Sequence, residues 1–194
     1  SAGPDVTITG ATTSVTASSP NTATAISDPA SGGLGALTVT RPEAKVRGAT
    51  LAQFDADVTG GSSVSVSATS GNAAVASAEV FSIGIIGSVA GASALAEIGA
   101  GASTLAAVGS TTTITAPIAA ITVAATSANV ADADATSSGG GLVSVAILEP
   151  IARIAAPTEA SFDGDVASGA SLTVQARGSN SADANADVVN ITLL

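Results

Sequence analysis

The sequence contains no cysteine, histidine, methionine, tryptophan or tyrosine, and its only aromatic side chains are Phe54, Phe81 and Phe162. Without His or Cys, the common general bases, activated nucleophiles and soft-metal ligands are missing. No serine has a histidine with which to build a triad. Gly32-Gly33-Leu34-Gly35 lacks the G-K-[ST] ending of a phosphate loop. Bases are equally scarce. Arg41, Lys45, Arg47, Arg153 and Arg177 stand against 15 acids, for a net charge of −10. A nucleic-acid binder needs clustered cations, and so does attraction to an anionic membrane surface; neither partner is expected. Apolar runs such as residues 81–90 are broken by Gly and Ser, so membrane insertion is not expected either. No signal peptide is evident, and a start at Ser1 rather than Met reads as a mature product or an excerpt. The lack of disulfides fits a repeat array, which supplies its own cohesion.

What remains is small and apolar. Hydrophobic residues make up 46% of the chain, mostly Ala and Val with some Ile and Leu. Small side chains fill little volume, so two backbones must lie close together along a thin core. Charged residues reach only 10%, against about 25% in an ordinary globular domain.

Internal repetition organises these residues. Segments 123–135 and 174–186 share Val, Ala, a small residue, Asn, Ala, Ala and Ala at alternate positions, and segments 66–78 and 15–26 follow the same pattern. The asparagines Asn21, Asn72, Asn129 and Asn180 are spaced by 51, 57 and 51 residues. This predicts four related units with one small insertion, at about 11–61, 62–118, 119–169 and 170–194, the last incomplete. The chain reads as one continuous array. Alternate units match best: Gly32-Gly33-Leu34 aligns with Gly140-Gly141-Leu142, Pro42 with Pro150, Phe54 with Phe162, and Val80 and Ile83 with Val188 and Ile191. The fuller period is a double unit of 108 residues, the distance from Asn21 to Asn129. The pattern is interrupted at Leu194, which suggests either an excerpt or an end open to another copy.

Period-two alternation with β-branched residues predicts strands. In 123–135 the Val/Ala face points inward and Asp132 and Asp134 point outward, because an unpaired carboxylate is not buried. Residues 89–107 are rich in Ala and Leu but carry Gly91, Gly99 and Gly101, and read as strands and turns rather than helix. Each unit offers about three strand segments. The predicted fold is all-β, a parallel β-solenoid with two or three coils per unit. A β-sandwich is the alternative, disfavoured because sheets about 10 Å apart need larger core residues. The inward asparagines either form an amide ladder or, if they recur only on every second or third coil, bond to local backbone.

Alternating A-x-V-x-A-x-S-x-N-x-A-x-A-x-A strands, then G-G-L, then a strand ending D-x-D-V-x-x-G, resemble the repeats of very large bacterial exoproteins, the filamentous-haemagglutinin-like adhesins and related surface or matrix proteins. The resemblance extends over essentially the whole chain. It implies a right-handed parallel β-helix, export, and a role in adhesion, biofilm or surface layers.

Few residues are candidates for a site. Asp55 and Asp57, repeated as Asp163 and Asp165, could offer carboxylates to Ca²⁺ or echo the paired acids of glycan-cleaving enzymes. The competing reading is a solvated turn, since unit two has threonines at 111–113 instead. Asp132, Asp134, Asp183 and Asp187 form a second outward acidic set, suited to keeping an exposed sheet soluble. Threonine runs at 7–9, 38–40 and 111–115 are scattered rather than in register, as β-propensity alone would leave them. Phe54 and Phe162 read as core plugs. The expectation is a non-catalytic, secreted or cell-surface protein, a rigid rod or fibre segment whose partners are further copies of itself end to end. A Ca²⁺- or glycan-binding module and a polysaccharide-degrading β-helix are the alternatives.

Overall fold

The computed structural model describes residues 7–117 and 119–192. Leu193 and Leu194, on which the expectation of an interrupted pattern rests, lie outside the described residues. A short strand, β1 (Thr7–Ile8), precedes the first coil, which holds β2 (Thr12–Ser27), β3 (Ala30–Thr40), β4 (Glu43–Val46), β5 (Thr50–Phe54) and β6 (Asp57–Thr59). The second coil holds β7 (Ser63–Ala92), β8 (Leu95–Ile98), β9 (Thr104–Val108) and β10 (Thr113–Thr115). The third holds β11 (Ala120–Gly141), β12 (Val143–Leu148), β13 (Ile151–Ile154), β14 (Thr158–Phe162) and β15 (Asp165–Ser168), and β16 (Ser171–Thr192) begins the fourth. Every pairing is parallel and joins one coil to the next, as in a parallel β-solenoid.

Each repeat unit is therefore one coil, not two or three. The reason is strand length. Residues 63–83 run as one uninterrupted strand, roughly 70 Å long at about 3.3 Å per residue. At Gly84 the chain doubles back on itself, and a Cβ on Gly84 would run into the Gly87 carbonyl oxygen. The remainder of β7, then β8, β9 and β10, form the facing wall. At the opposite corner Gly60 and Gly61 have φ of +80° and +100°, and a Cβ on Gly61 would strike the Gly10 carbonyl. Residues 89–107 are strands and turns, without helix. The single expected insertion is instead spread over the corners of coil two. One residue is added at the glycine turn, two between β8 and β9, two between β9 and β10, and one before β11. The strands themselves keep register.

Inward residues of the two walls make two core clusters. One joins Ala74, Ala76, Ala78 and Val80 to Ala90, Ala92, Ala96 and Ile98 and their counterparts in neighbouring coils. The other joins Val64, Val66 and Ala68 to Ala106, Val108 and Ile114, with Phe54 fully buried and Phe162 packed at its margin. The first is almost all alanine, so the walls approach closely there and form a thin two-layer wing ending at the glycine turn. Hydroxyls cross that thin interior: Thr40 donates to Ser27 at 2.5 Å, and Ser31 meets Thr38. The outward side chains of the two walls consequently point in opposite directions.

Candidate functional site

Between the two apolar clusters runs a polar seam. Asn21, Asn72, Asn129 and Asn180 occupy the same position on consecutive coils. Asn21 Nδ2 donates to Asn72 Oδ1 at 3.0 Å, Asn72 to Asn129 at 3.0 Å, and Asn129 to Asn180 at 2.9 Å. Asn72 and Asn129 are buried. Two residues earlier, Ser70 meets Thr104 across the core at 2.6 Å, and Ser127 meets Thr158 at 2.6 Å. Coil one differs: Ser19 accepts from Asn21 Nδ2 at 3.0 Å, and the Thr50 hydroxyl is buried without a partner. Apart from the Thr50 hydroxyl, these polar atoms satisfy one another and leave little to offer a ligand. Their effect is to fix which residue of one coil lies above which residue of the next.

The D-x-D acids sit at a corner. Asp55 lies in the bend between β5 and β6, and Asp57 opens β6; Asp163 and Asp165 take the same places after β14, two coils away. Coil two stands between the pairs, with Thr113 stacked beside Asp165 and its backbone NH donating to Asp57 Oδ1 at 2.7 Å. Asp55 accepts from Gln53 Nε2 at 2.7 Å, and its carboxylate fills the space where a Cβ on Gly109 would stand. The structure does not bring the four carboxylates together. Among the described residues no three Asp, Glu, His or Cys side chains are grouped to hold a metal ion.

The outward acids do form a ladder. Asp132 is in register with Asp183, Asp134 with Asn185, and Thr136 with Asp187. Asn185 donates to Asp134 at 3.1 Å, relieving one step. Asp132 has no such relief: partial burial pushes its carboxyl above the usual range, and the charges of Asp134 and Asp183 push it the same way.

Sequence reasoning missed a charged ladder on the facing wall. Lys45, Glu97 and Arg153 occupy one register position on β4, β8 and β13, alternating in sign. Arg153 donates to Glu97 at 2.7 Å and holds its carboxyl below the usual range. The spacing between Lys45 and Arg153 equals the double period and was available as a signal. Glu97 was hidden, because the extra residue at the glycine turn shifts it off the 51-residue spacing.

The geometry is that of a framework rather than of a cleft with converging reactive groups. No family model, curated protein or solved structure matches the chain.

Proposed function

We propose that this protein is a structural, non-catalytic rod segment of an extracellular or cell-surface fibre, adhesin stalk or matrix, and that its coils continue end to end onto further copies or repeats. The resemblance to repetitive bacterial exoproteins is one support. The observation that carries the reading is the contrast between equivalent positions on successive coils. Ile121 and Val123 are 1% and 0% exposed, whereas Leu172 and Val174, in register with them on β16, are 47% and 43% exposed. Residues of core type line that strand, and among the described residues no strand pairs with the backbone NH and CO groups of its outer edge. Such an edge is a template for another strand. The outward Ser, Thr, Asp and Asn residues keep such a rod soluble.

Electron microscopy with light scattering, over a range of protein concentration and with or without Ca²⁺, tests the reading. Filaments that lengthen with concentration are expected, and Val174→Asp, which places a charge on the open edge, should shorten them. Particles of one size at every concentration, unaffected by Val174→Asp, would overturn end-to-end assembly.

A further inference from the structure

The wing is apolar on its outside. Segments 29–40, 80–96, 135–148 and 188–194 contain no charged residue. Phe81, Ile83, Val189 and Ile191 project from the first face, and Leu37, Val39, Val89, Val145 and Ile147 from the opposite face. Leu34, Ile85, Ile86 and Leu142 crown the glycine turn. Each of these side chains is between 38% and 71% exposed. The interior near the tip is the polar part. Ser31, Ser82, Gly139 and Asn190 form one inward ladder, with Ser88 and Ser144 on the facing wall. Ser31 meets Ser82 at 3.3 Å, Ser88 donates to Ser144 at 3.2 Å, and Ser144 donates to Asn190 Oδ1 at 3.1 Å. Ser82 and Ser88 are buried. Hydroxyls inside and large aliphatics outside reverse the order that water imposes.

The apolar surface stops at one level on both walls. Glu79 and Asp187 share a register position through Thr136, and Asp28 stands level with them after Ser27, the partner of Ala78. On the facing wall Arg41 and Glu149 follow Thr40 and Leu148, both partners of Ala92. The hydrogen bond from Thr40 to Ser27 ties the two walls together at that level. Between it and the turn lie residues 80–84, roughly 17 Å of strand at about 3.3 Å per residue. One leaflet of a bilayer has about 15 Å of hydrocarbon, half of a core about 30 Å thick. Nearer the body, outward Asp, Glu, Thr, Ser, Arg and Lys dominate, with Ile26, Val130 and Ile151 interspersed.

We propose that the wing binds lipid, entering one leaflet of a neutral bilayer tip first. Its strands then stand upright in the leaflet, and the stacking axis of the coils lies flat along the membrane surface. A protein partner on one face would leave the other face and the tip in water, whereas lipid surrounds all three. The faces are also uneven, with a groove of about 190 Å³ floored by Gly140 between Ile83 and Ile191. Fluid acyl chains conform to such relief without a matching shape. Hydrocarbon requires backbone groups to be bonded within the protein. β7 meets this along the wing, paired with β3 on one side and with β11 and β12 on the other. Among the described residues β3 and β12 each have one unpaired edge, so a chain whose coils continue onto further copies inserts more readily than a single one. Insertion gains from end-to-end stacking without resting on it. The net charge of −10 disfavours anionic lipid and suits a zwitterionic one. Apolar side chains occupy alternate positions of the wing strands, so no continuous run marks them. The expectation against membrane insertion came from run length, which does not bear on paired strands.

Flotation of the whole chain with phosphatidylcholine vesicles tests the proposal, and a sequence without cysteine allows single labels. Ile85→Cys at the tip, Ile83→Cys and Val145→Cys on the two faces, and Thr24→Cys on the body each carry an environment-sensitive fluorophore. Quenching by lipids brominated along the acyl chain is expected at the first three and not at Thr24→Cys. The unlabelled double variant Ile85→Ser/Ile86→Ser should bind vesicles on the order of a hundredfold more weakly. Val130→Ser, which removes an exposed aliphatic from the body, should leave binding unchanged. Circular dichroism and thermal melting establish that both fold. No flotation, quenching on one face only, or equal loss in both serine variants would overturn the proposal. Association between chains that Ile85→Ser/Ile86→Ser abolishes, without vesicle binding, would assign the wing to a second copy and overturn it too. Filaments that fail to bind vesicles refute lipid insertion alone. Vesicle binding by chains that never form filaments refutes the end-to-end contact alone.

Discussion

Asn72 is held from both sides, accepting from Asn21 and donating to Asn129. Replacing it by alanine strands a donor above and an acceptor below, both in a water-poor seam. Asn72→Ala should cost about 2–4 kcal/mol in urea denaturation, from two buried groups left unpaired at roughly 1–3 kcal/mol each. Asn180→Ala removes only an acceptor at an exposed coil, and should cost less than about 1.5 kcal/mol. Equal losses would show that the ladder is not the source of the stabilisation. Phe54 is the other residue whose weight is calculable. It is fully buried among alanines and valines, and Phe54→Ala should cost about 3–5 kcal/mol. Both residues stood out in the sequence, Asn72 by its spacing and Phe54 by its rarity. The partner of Asn72 did not, because spacing alone does not say how many coils fit into 51 residues. The answer depends on strand length, and a strand of more than twenty residues lies far outside the usual range of about 3–10.

Two ladders on opposite walls respond to acid with opposite sign. In the sheet of β4, β8 and β13, Arg153 holds the Glu97 carboxyl below its ordinary value. As pH falls the unfolded chain therefore takes up that proton first. The pair's contribution is complete above the ordinary value, about 4.3, and is lost as pH drops through the lowered one. Glu97→Gln should be less stable than the parent at pH 7, with the difference beginning to shrink only below about pH 4.3 and closing as pH drops through the lowered value. Along β11 and β16 the Asp132 carboxyl is raised, so the folded chain binds that proton first. The cost of its partial burial, with the repulsion from Asp134 and Asp183, is present at neutral pH and is relieved as pH falls toward the ordinary value, about 3.9. Asp132→Asn should stabilise the protein at pH 7 by about 0.2–1 kcal/mol, the size of a cross-strand charge effect. Urea midpoints followed from pH 7 through pH 4 to about pH 2 check both signs; a Glu97→Gln difference that widens in acid would refute the assignment. The acidic ladder was legible, since alternation fixes which side chains point outward. The Lys45–Glu97–Arg153 ladder was not, because corners absorb insertions freely while strands do not, and fixed spacing fails beyond the first corner.

At the scale of the molecule, a stack in which each coil touches only its neighbours gains stability coil by coil. β7 is paired along both edges, and β11 is paired to β7 and β16, whereas among the described residues β16 has one neighbour and an uncovered inner face. Hydrogen exchange should find amides of β7 and β11 slowest and those of β16 faster, the exchange spreading inward from that coil. Uniform protection across the four coils would mean a single cooperative block instead. The overall architecture was predictable from composition and alternation, because a small-residue core with period two leaves few other folds. Which outward residues stack on one another was not, since the residues inserted at the corners of coil two shift the spacing from one wall to the next.

The amide ladder also has a sense. Asn21, Asn72 and Asn129 each donate toward the coil that follows in sequence, so among the described residues the Asn21 carbonyl is left unclaimed at one extremity and the Asn180 NH₂ at the other. Carbonyl meets carbonyl, or amine meets amine, when two such stacks approach with like ends. Only unlike ends continue the chain of hydrogen bonds. A fibre built this way is an arrow with chemically distinct tip and tail, able to grow faster at one than at the other.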